Sequence, residues 1–215
     1  MPATESIKLA VLVSGGGTTL QNLIDGITAG TLNARIGIVI ASRPQILALK
    51  RASDAKLMNF VIRPRDYASV AEFSRKVFEL CDDAQVDLVC LAGWLSLLEI
   101  PAKYEERMMN IHPALLPSCF GGKGMFGKRV HEAVLAHGCK VSGCTVHFVD
   151  QEYDQGPIIC QKCCAVMEED TPETLAKRVA ELERAAYPEA IELFAAGRLK
   201  AEGRRVRVLP VVARS

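Results

Sequence analysis

The sequence predicts an α/β fold: a doubly wound, mostly parallel sheet with helices on both faces. Three observations lead to this prediction. Strand-like and helix-like patterns alternate along the first half of the chain. The strand patterns are almost continuously apolar, as in a sheet that is covered on both sides. A glycine-rich turn follows the first strand, at the end of the sheet where such folds bind their ligands.

In the first half, the spacing of apolar residues and the positions of glycines predict the strands and helices. Residues 7–13 and 36–41 are apolar runs of strand length, and residues 70–81 carry an apolar stripe at helical spacing. The predicted order is strand 7–13, helix from Leu20, strand 36–41, helix 46–55, strand 59–62, helix 70–81 and strand 86–93.

The second half has a less regular pattern. Residues 108–112 are predicted to be extended, because prolines at 113 and 117 prevent a helix. The elements expected after it are helix 128–136, strand 144–149, strand 157–166, helix 174–186 and a terminal hairpin or tail at 198–209.

Composition limits the classes of function. The chain has 215 residues, a formal net charge of +1 and 24% charged residues, which is typical of one compact domain, and we expect a single domain over 1–215. The weak net charge argues against a non-specific nucleic-acid or membrane binder. No signal-peptide pattern precedes the first strand, and no apolar run reaches the ~18 residues of a membrane span. These features predict a cytoplasmic protein.

The eight cysteines contain one cluster that invites a metal assignment, Cys160, Cys163 and Cys164. A tetrahedral zinc site needs about four converging ligands. Alternation along a strand instead sends Cys163 to the face opposite the other two. Buried free thiols are therefore predicted, and no metal is expected.

The turn after the first strand suits a phosphate group. It contains Gly15, Gly16, Gly17, Thr18 and Thr19, and its N–H groups would lie beside the positive end of a helix dipole. It completes neither a Walker loop nor a dinucleotide fingerprint. A tight turn without a ligand is the alternative.

Two further segments carry chemical groups. In an extended segment Asn110 and His112 project to the same face, where both can donate to an oxygen that becomes negative during acyl transfer. Asp154 lies in an acidic turn between two strands; if it lies close to His112, its charge would raise the pKa of the imidazole. A solvated loop is the alternative for this turn. His147 is expected in the core or near the site, His131 and His137 in solvent, and Trp94 in the core or in a ligand pocket.

Four segments, in this order and spacing, resemble the folate-dependent phosphoribosylglycinamide formyltransferases of purine biosynthesis. They are Ser14–Gly17, Leu91–Trp94, Asn110–Pro117, and Gly143–Val149 followed by Asp154–Pro157. The similarity runs from about 7 to 199, which leaves 200–215 as a C-terminal tail.

The resemblance implies a set of site residues. It assigns catalysis to Asn110, His112 and Asp154, the substrate phosphate to the loop Gly15–Thr19, and the ribose hydroxyls to Glu183. It assigns folate binding to two segments, Leu95, Ser96, Leu97 and Leu98, and Asp150, Gln151, Glu152 and Tyr153. The implied substrates are 10-formyltetrahydrofolate and glycinamide ribonucleotide, with no metal and no nucleic-acid or membrane partner, in a monomer or a homodimer.

The sequence also departs from the family pattern. Gly16, Thr18 and Thr19 replace the polar pattern that is common in the phosphate loop of the family. Ser96 replaces an arginine, and Arg184 stands where a histidine is usual. Two relatives with the same catalytic segment, the methionyl-tRNA formyltransferases and the formyltetrahydrofolate hydrolases, are disfavoured because they carry additional domains. A nucleotide-binding module without catalysis is the third alternative.

Overall fold

The computed structural model describes residues 6–211. Its strands are β1 Ile7–Val13, β2 Ala34–Ala41, β3 Asn59–Val61, β4 Leu88–Leu91, β5 Met108–His112, β6 Val141–Phe148, β7 Ile158–Ala165, β8 Leu199–Glu202 and β9 Arg205–Val208. Its α-helices are α1 Thr18–Thr28, α2 Leu47–Asp54, α3 Val70–Asp83, α4 Lys128–Ala136 and α5 Pro172–Ala195. The predicted α/β class is confirmed.

The chain forms two compact units, which divide between Met109 and Asn110. Whether it is the single domain expected over 1–215 stays a prediction. In the first unit the strand order is β3-β2-β1-β4, and the described pairs are all parallel. The central strand β1 is almost completely buried, which explains its continuously apolar sequence.

The second unit combines antiparallel and parallel pairs. Its strands follow the order β6-β7-β9-β8, with β6 antiparallel to β7 and β8 antiparallel to β9. Strands β7 and β9 are parallel and meet at Ile158 and Arg205. Helix α5 packs on β6 and β7 and also against α4.

Helix α5 is longer than predicted. The helix was expected to end at residue 186, before Pro188, but it begins at Pro172 and continues to Ala195. Its apolar stripe continues beyond the proline with Ala190 and Ile191, both fully buried, so tertiary packing outweighs the helix-breaking tendency of proline.

The chain end is partly described. Of the two alternatives predicted for 198–209, a hairpin or a tail, the structure shows the hairpin, formed by β8 and β9. The polar segment at 1–5 and the last part of the predicted tail, 212–215, lie outside the described residues. Within 6–211 there is no helix with the length and apolar character needed to span a bilayer.

Candidate active site

Asp154 is the centre of a cluster of polar side chains in the second unit. Its Oδ2 lies 3.4 Å from His112 Nδ1, and its Oδ1 accepts a hydrogen bond from Asn110 Nδ2 at 3.2 Å. The backbone N–H of Gly122 also donates to Oδ2, at 2.8 Å. Asn110 and His112 therefore reach one carboxylate, as two positions on the same face of β5 should.

The backbone holds Asp154 in position. Its φ of 58° lies in the left-handed region, which aspartate tolerates better than most residues. Close by, a Cβ at Gly156 would lie 1.8 Å from the carbonyl oxygen of Phe148, so only glycine fits there. Both features restrict the path of the turn that carries the carboxylate.

His147 is a member of the cluster for which no definite role was predicted. Its side chain is buried, and its Nε2 lies 3.2 Å from Asn110 Nδ2 and 3.6 Å from Asp154 Oδ1. Its Nδ1 lies 2.7 Å from the Phe148 carbonyl oxygen, which can only accept. Neutral His147 therefore carries its proton on Nδ1 and accepts from Asn110 through Nε2. The alternating side chains of the strand predicted His147 in the core or near the site. It is both buried and in contact with the cluster.

Two opposing effects set the pKa of His112. Burial lowers the pKa of His112 below its ordinary value, and the opposing effects of Asp154 and of the Phe120 carbonyl do not reverse this. The predicted effect of Asp154, a rise in the pKa of the imidazole, is confirmed, but the desolvation of the imidazolium outweighs it and the net pKa falls. For Asp154, burial acts to raise the pKa, but His147, His112 and Gly122 together hold it below the usual range. The carboxylate is ionised at neutral pH.

The side-chain N–H groups of Asn110 and His112, on β5, already donate hydrogen bonds within the protein. His112 Nε2 lies 2.7 Å from the carbonyl oxygen of Phe120, so this nitrogen carries a hydrogen and donates it. The two amide hydrogens of Asn110 are directed to Asp154 and His147. A bound oxyanion would have to take the place of the Phe120 carbonyl to receive the hydrogen bond from His112.

In the first unit, the glycine turn leads from β1 into α1 and packs against α2. Helix α1 begins at Thr18 after Gly17, whose φ of 71° lies in the left-handed region. The carbonyls of Gly15 and Gly16 accept from Ala48 N–H and from Arg51 Nε, at 3.2 and 3.0 Å. Loop carbonyls thus point towards α2, and the guanidinium of Arg51 adds positive charge beside the loop. Arg51 was not among the predicted site residues, since it lies 35 residues from Gly16 along the chain.

The segment after β4 is linked to the same turn through Ser14. The buried hydroxyl of Ser14 accepts from the N–H of Leu95 at 3.0 Å. In this segment Leu98 is buried and Leu97 is 41% exposed, while Leu95 and Ser96 are half-buried. Trp94 belongs to the core, where it is buried and stacks on Phe73 with 5.9 Å between ring centroids.

The remaining predicted site residues lie in the second unit. In the acidic turn Asp150 Oδ1 accepts from the N–H of Glu152 at 3.0 Å; Asp150 and Tyr153 are half-buried, whereas Gln151 and Glu152 are exposed. Glu183 is half-buried on α5, and burial raises its pKa to about 7.

Two expectations about single side chains are wrong. His131 was placed in solvent, but it is buried, 4% exposed, because α4 turns this position inward with Val130 and Val134; His137 is exposed as expected. The cysteines of β7 were expected to be buried, but Cys163 is exposed and Cys160 and Cys164 are half-buried. The outer face of β7 is only partly covered, so alternation did not imply full burial.

Comparisons with known proteins agree with one another. The family model described as "Formyl transferase" matches residues 7–191. The chain is 40% identical to the trifunctional purine biosynthetic protein adenosine-3 of Gallus gallus, over 90% of this chain and 19% of that protein. It is 38% identical to the chloroplastic phosphoribosylglycinamide formyltransferase of Arabidopsis thaliana, over 90% of this chain and 67% of that protein.

A solved structure agrees over nearly its whole length. Glycinamide ribonucleotide transformylase 1 from Symbiobacterium toebii is 43% identical, with a TM-score of 0.88, and the match covers 96% of this chain and 95% of that one. The chain spans about a fifth of the length of the trifunctional relatives. The extent of the family match, with the agreement in fold, establishes that this chain belongs to the formyl transferase family.

Proposed function

We propose that this protein transfers the formyl group of 10-formyltetrahydrofolate to the amine of glycinamide ribonucleotide. The observation that carries the proposal is the convergence of Asn110, His112 and His147 on the single carboxylate of Asp154. The names of relatives that are 38–43% identical supply the formyl acceptor, glycinamide ribonucleotide. The formyl donor follows from the resemblance of the sequence to the folate-dependent formyltransferases.

The chemistry is a direct transfer. The neutral amine attacks the formyl carbon, and the carbonyl electrons move to the formyl oxygen. Asn110 Nδ2 and His112 Nε2 are the donors to this oxyanion, and each good donor in such a site contributes ~3–4 kcal/mol to the transition state. The oxyanion replaces the Phe120 carbonyl at His112, because a hydrogen bond to a charged acceptor is stronger than one to a neutral carbonyl.

The proton follows the opposite course to the formyl group. The amine loses a proton as its bond to carbon forms, and N10 of the folate gains one as its bond to carbon breaks. Asp154 is ionised and next to His112, and while ionised its charge favours the imidazolium form of His112 that donates to the oxyanion. As the tetrahedral intermediate breaks down, Asp154 takes up the amine proton, directly or through water, and the same proton passes on to N10. No covalent enzyme intermediate takes part.

Binding roles follow for the other residues. The N–H groups of Gly15, Gly16, Gly17, Thr18 and Thr19, at the N-terminus of α1, bind the phosphate. Arg51 supports this loop through the Gly16 carbonyl. Glu183 accepts hydrogen bonds from the ribose hydroxyls, for which its ionised form is the better acceptor. Residues 95–98 and 150–153 contact the folate.

The test is an absorbance assay of folate release, run with and without glycinamide ribonucleotide. We expect release only when the amine is present, together with formation of the formylated amine. Release at the same rate without the amine would favour a formyltetrahydrofolate hydrolase. A protein that binds both ligands and turns over neither would contradict the proposal and favour a binding module.

A further inference from the structure

The hydroxyl of Ser14 connects the ends of three parallel strands, β1, β2 and β4. Ser14 directly follows β1, and its Oγ lies 2.6 Å from Oγ of Ser42, which directly follows β2. The same Ser14 oxygen accepts from the N–H of Leu95, four residues after β4, at 3.0 Å. Both serines are buried, where hydrogen bonds are stronger than in water. The network lies at the carboxyl ends of the strands, where sheets of this class bind ligands.

A second hydrogen bond joins Ser14 to the chain that follows β4. The N–H of Ser14 donates to the carbonyl oxygen of Gly93 at 3.1 Å. The backbone of Ser14 therefore binds the start of the turn 93–95, and its side chain binds the end of that turn. This turn leads directly into residues 95–98, the segment proposed to contact the folate. The position of that segment thus depends on the position of Ser14.

A different serine anchors the other end of residues 95–98. The N–H of Glu99 donates to Oγ of Ser74, on α3, at 2.8 Å, and Ser74 is buried. A serine hydroxyl therefore fixes the backbone at each end of this segment. The two anchors differ in their surroundings, because Ser74 belongs to a helix, whereas Ser14 is the residue directly before the glycine turn.

The chain continues from Ser14 into residues 15–19, the loop proposed to bind the substrate phosphate. Helix α2 already holds the carbonyls of Gly15 and Gly16. A phosphate bound to the N–H groups of this loop restricts its backbone further. Since a single peptide bond joins Ser14 to Gly15, the restriction includes Ser14 and reaches Leu95 through the hydrogen bond between them.

We propose that Ser14 is a positioning residue through which the phosphate loop and the folate segment stabilise each other. This inference rests on the proposed function. The first ligand to bind orders both segments, so the second ligand binds with a smaller loss of conformational entropy. Thermodynamic linkage makes the effect reciprocal: glycinamide ribonucleotide and the folate each raise the affinity for the other by the same factor.

The test measures this coupling factor by calorimetry, as the ratio of the Kd of tetrahydrofolate without and with saturating glycinamide ribonucleotide. Tetrahydrofolate carries no formyl group, so the two ligands bind together without reaction. We expect a factor of about 2–10 in the wild type, the range that one hydrogen bond of ordinary strength supplies. Ser14→Ala removes the acceptor that Ser14 offers to Leu95, and its factor should be near one.

Two serine variants are matched controls. Ser42→Ala removes the same bond between hydroxyls but keeps the acceptor for Leu95, so it should keep the wild-type factor. Ser74→Ala removes the anchor at the far end of the segment, and should raise the Kd of tetrahydrofolate equally with and without glycinamide ribonucleotide. A purely structural role of Ser14 predicts instead that all three variants have the same coupling factor.

A factor of one in the wild type, or a wild-type factor in Ser14→Ala, would overturn the proposal. Equal losses in Ser14→Ala and Ser42→Ala would overturn it as well. If Ser14→Ala does not fold, Ser14→Cys takes its place with the same expectation, because a thiol is only a weak acceptor. A protein that turns over but has a factor of one loses this inference alone, whereas a protein that binds neither ligand also loses the proposed function.

Discussion

Asp154 and His112 face each other across 3.4 Å, from carboxylate Oδ2 to imidazole Nδ1, in the second unit of the protein. The opposite carboxylate oxygen faces His147 Nε2 at 3.6 Å. One ionised group thus lies between two buried imidazoles. Removal of the carboxylate would therefore take a charged neighbour from both histidines.

Replacement of Asp154 by asparagine should reduce kcat strongly. The amide keeps an acceptor for Gly122 and Asn110 but carries no charge, so it neither accepts the amine proton nor stabilises a charged His112. Loss of acid–base catalysis predicts a fall of about 10²–10⁴. Steady-state kinetics measures the effect, and circular dichroism with thermal melting checks the fold. Asp83→Asn, an exposed change at the end of α3, is the matched control. Near-native turnover by the Asp154 variant would refute its catalytic role.

His147→Phe should lower kcat more than it raises KM. The phenyl ring fills the buried volume but removes the acceptor at 3.2 Å that orients the amide of Asn110. A freely rotating amide is a poorer oxyanion donor, and we expect a loss of about 10-fold, less than for removal of the donor itself. The acid limb of the pH–rate profile should also move, since Asp154 loses a neighbour that lowers its pKa. A rise in KM alone would assign His147 to binding.

Much of the fold could be predicted, because the spacing of apolar residues and the positions of glycines are local properties of the sequence. Strand β1, the glycine turn and the pair Asn110 and His112 were all accessible in this way. The approach of Asp154 to His112 was not, because it depends on the pairing of β6 with β7 and on a left-handed residue in the turn between them. Arg51 was missed for the same reason: tertiary packing, not spacing, brings it to Gly16.

Gly156→Ala should displace the acidic turn. The new methyl group would lie 1.8 Å from the Phe148 carbonyl oxygen and 2.8 Å from its carbon, both in backbone that cannot rotate away. Relief requires a shift of residues 150–155, with a stability cost of ~1–3 kcal/mol for strain of this kind. The free energy of unfolding measured in urea should fall, and the KM for the folate should rise. Gly26→Ala on α1, where the methyl meets nothing closer than 3.5 Å, should be neutral or stabilising. Equal effects of the two changes would show that the turn adjusts freely.

Glu183→Gln should change how stability depends on pH. Burial raises the folded-state pKa of Glu183 to about 7, from 4.5 for the free side chain. Between these values the folded protein holds more protons than the unfolded chain, so the free energy of unfolding falls as pH rises through the interval. At ~1.4 kcal/mol per pKa unit, this penalty reaches at most ~3 kcal/mol at pH 8. Glutamine removes it, so the variant should gain on the wild type between pH 5 and pH 8 in urea unfolding.

The penalty is also the reason to expect a ligand at Glu183, since hydroxyl groups that donate to the carboxylate would stabilise its charged form and lower its pKa again. Glu183→Gln should therefore weaken binding of glycinamide ribonucleotide more at pH 8, where the wild-type group is ionised, than at pH 6. The control Glu192→Gln, exposed on the same helix, should leave both pH dependences as in the wild type. Stability curves for wild type and Glu183→Gln that stay parallel from pH 5 to pH 8 would contradict a raised pKa of the carboxyl group at this position.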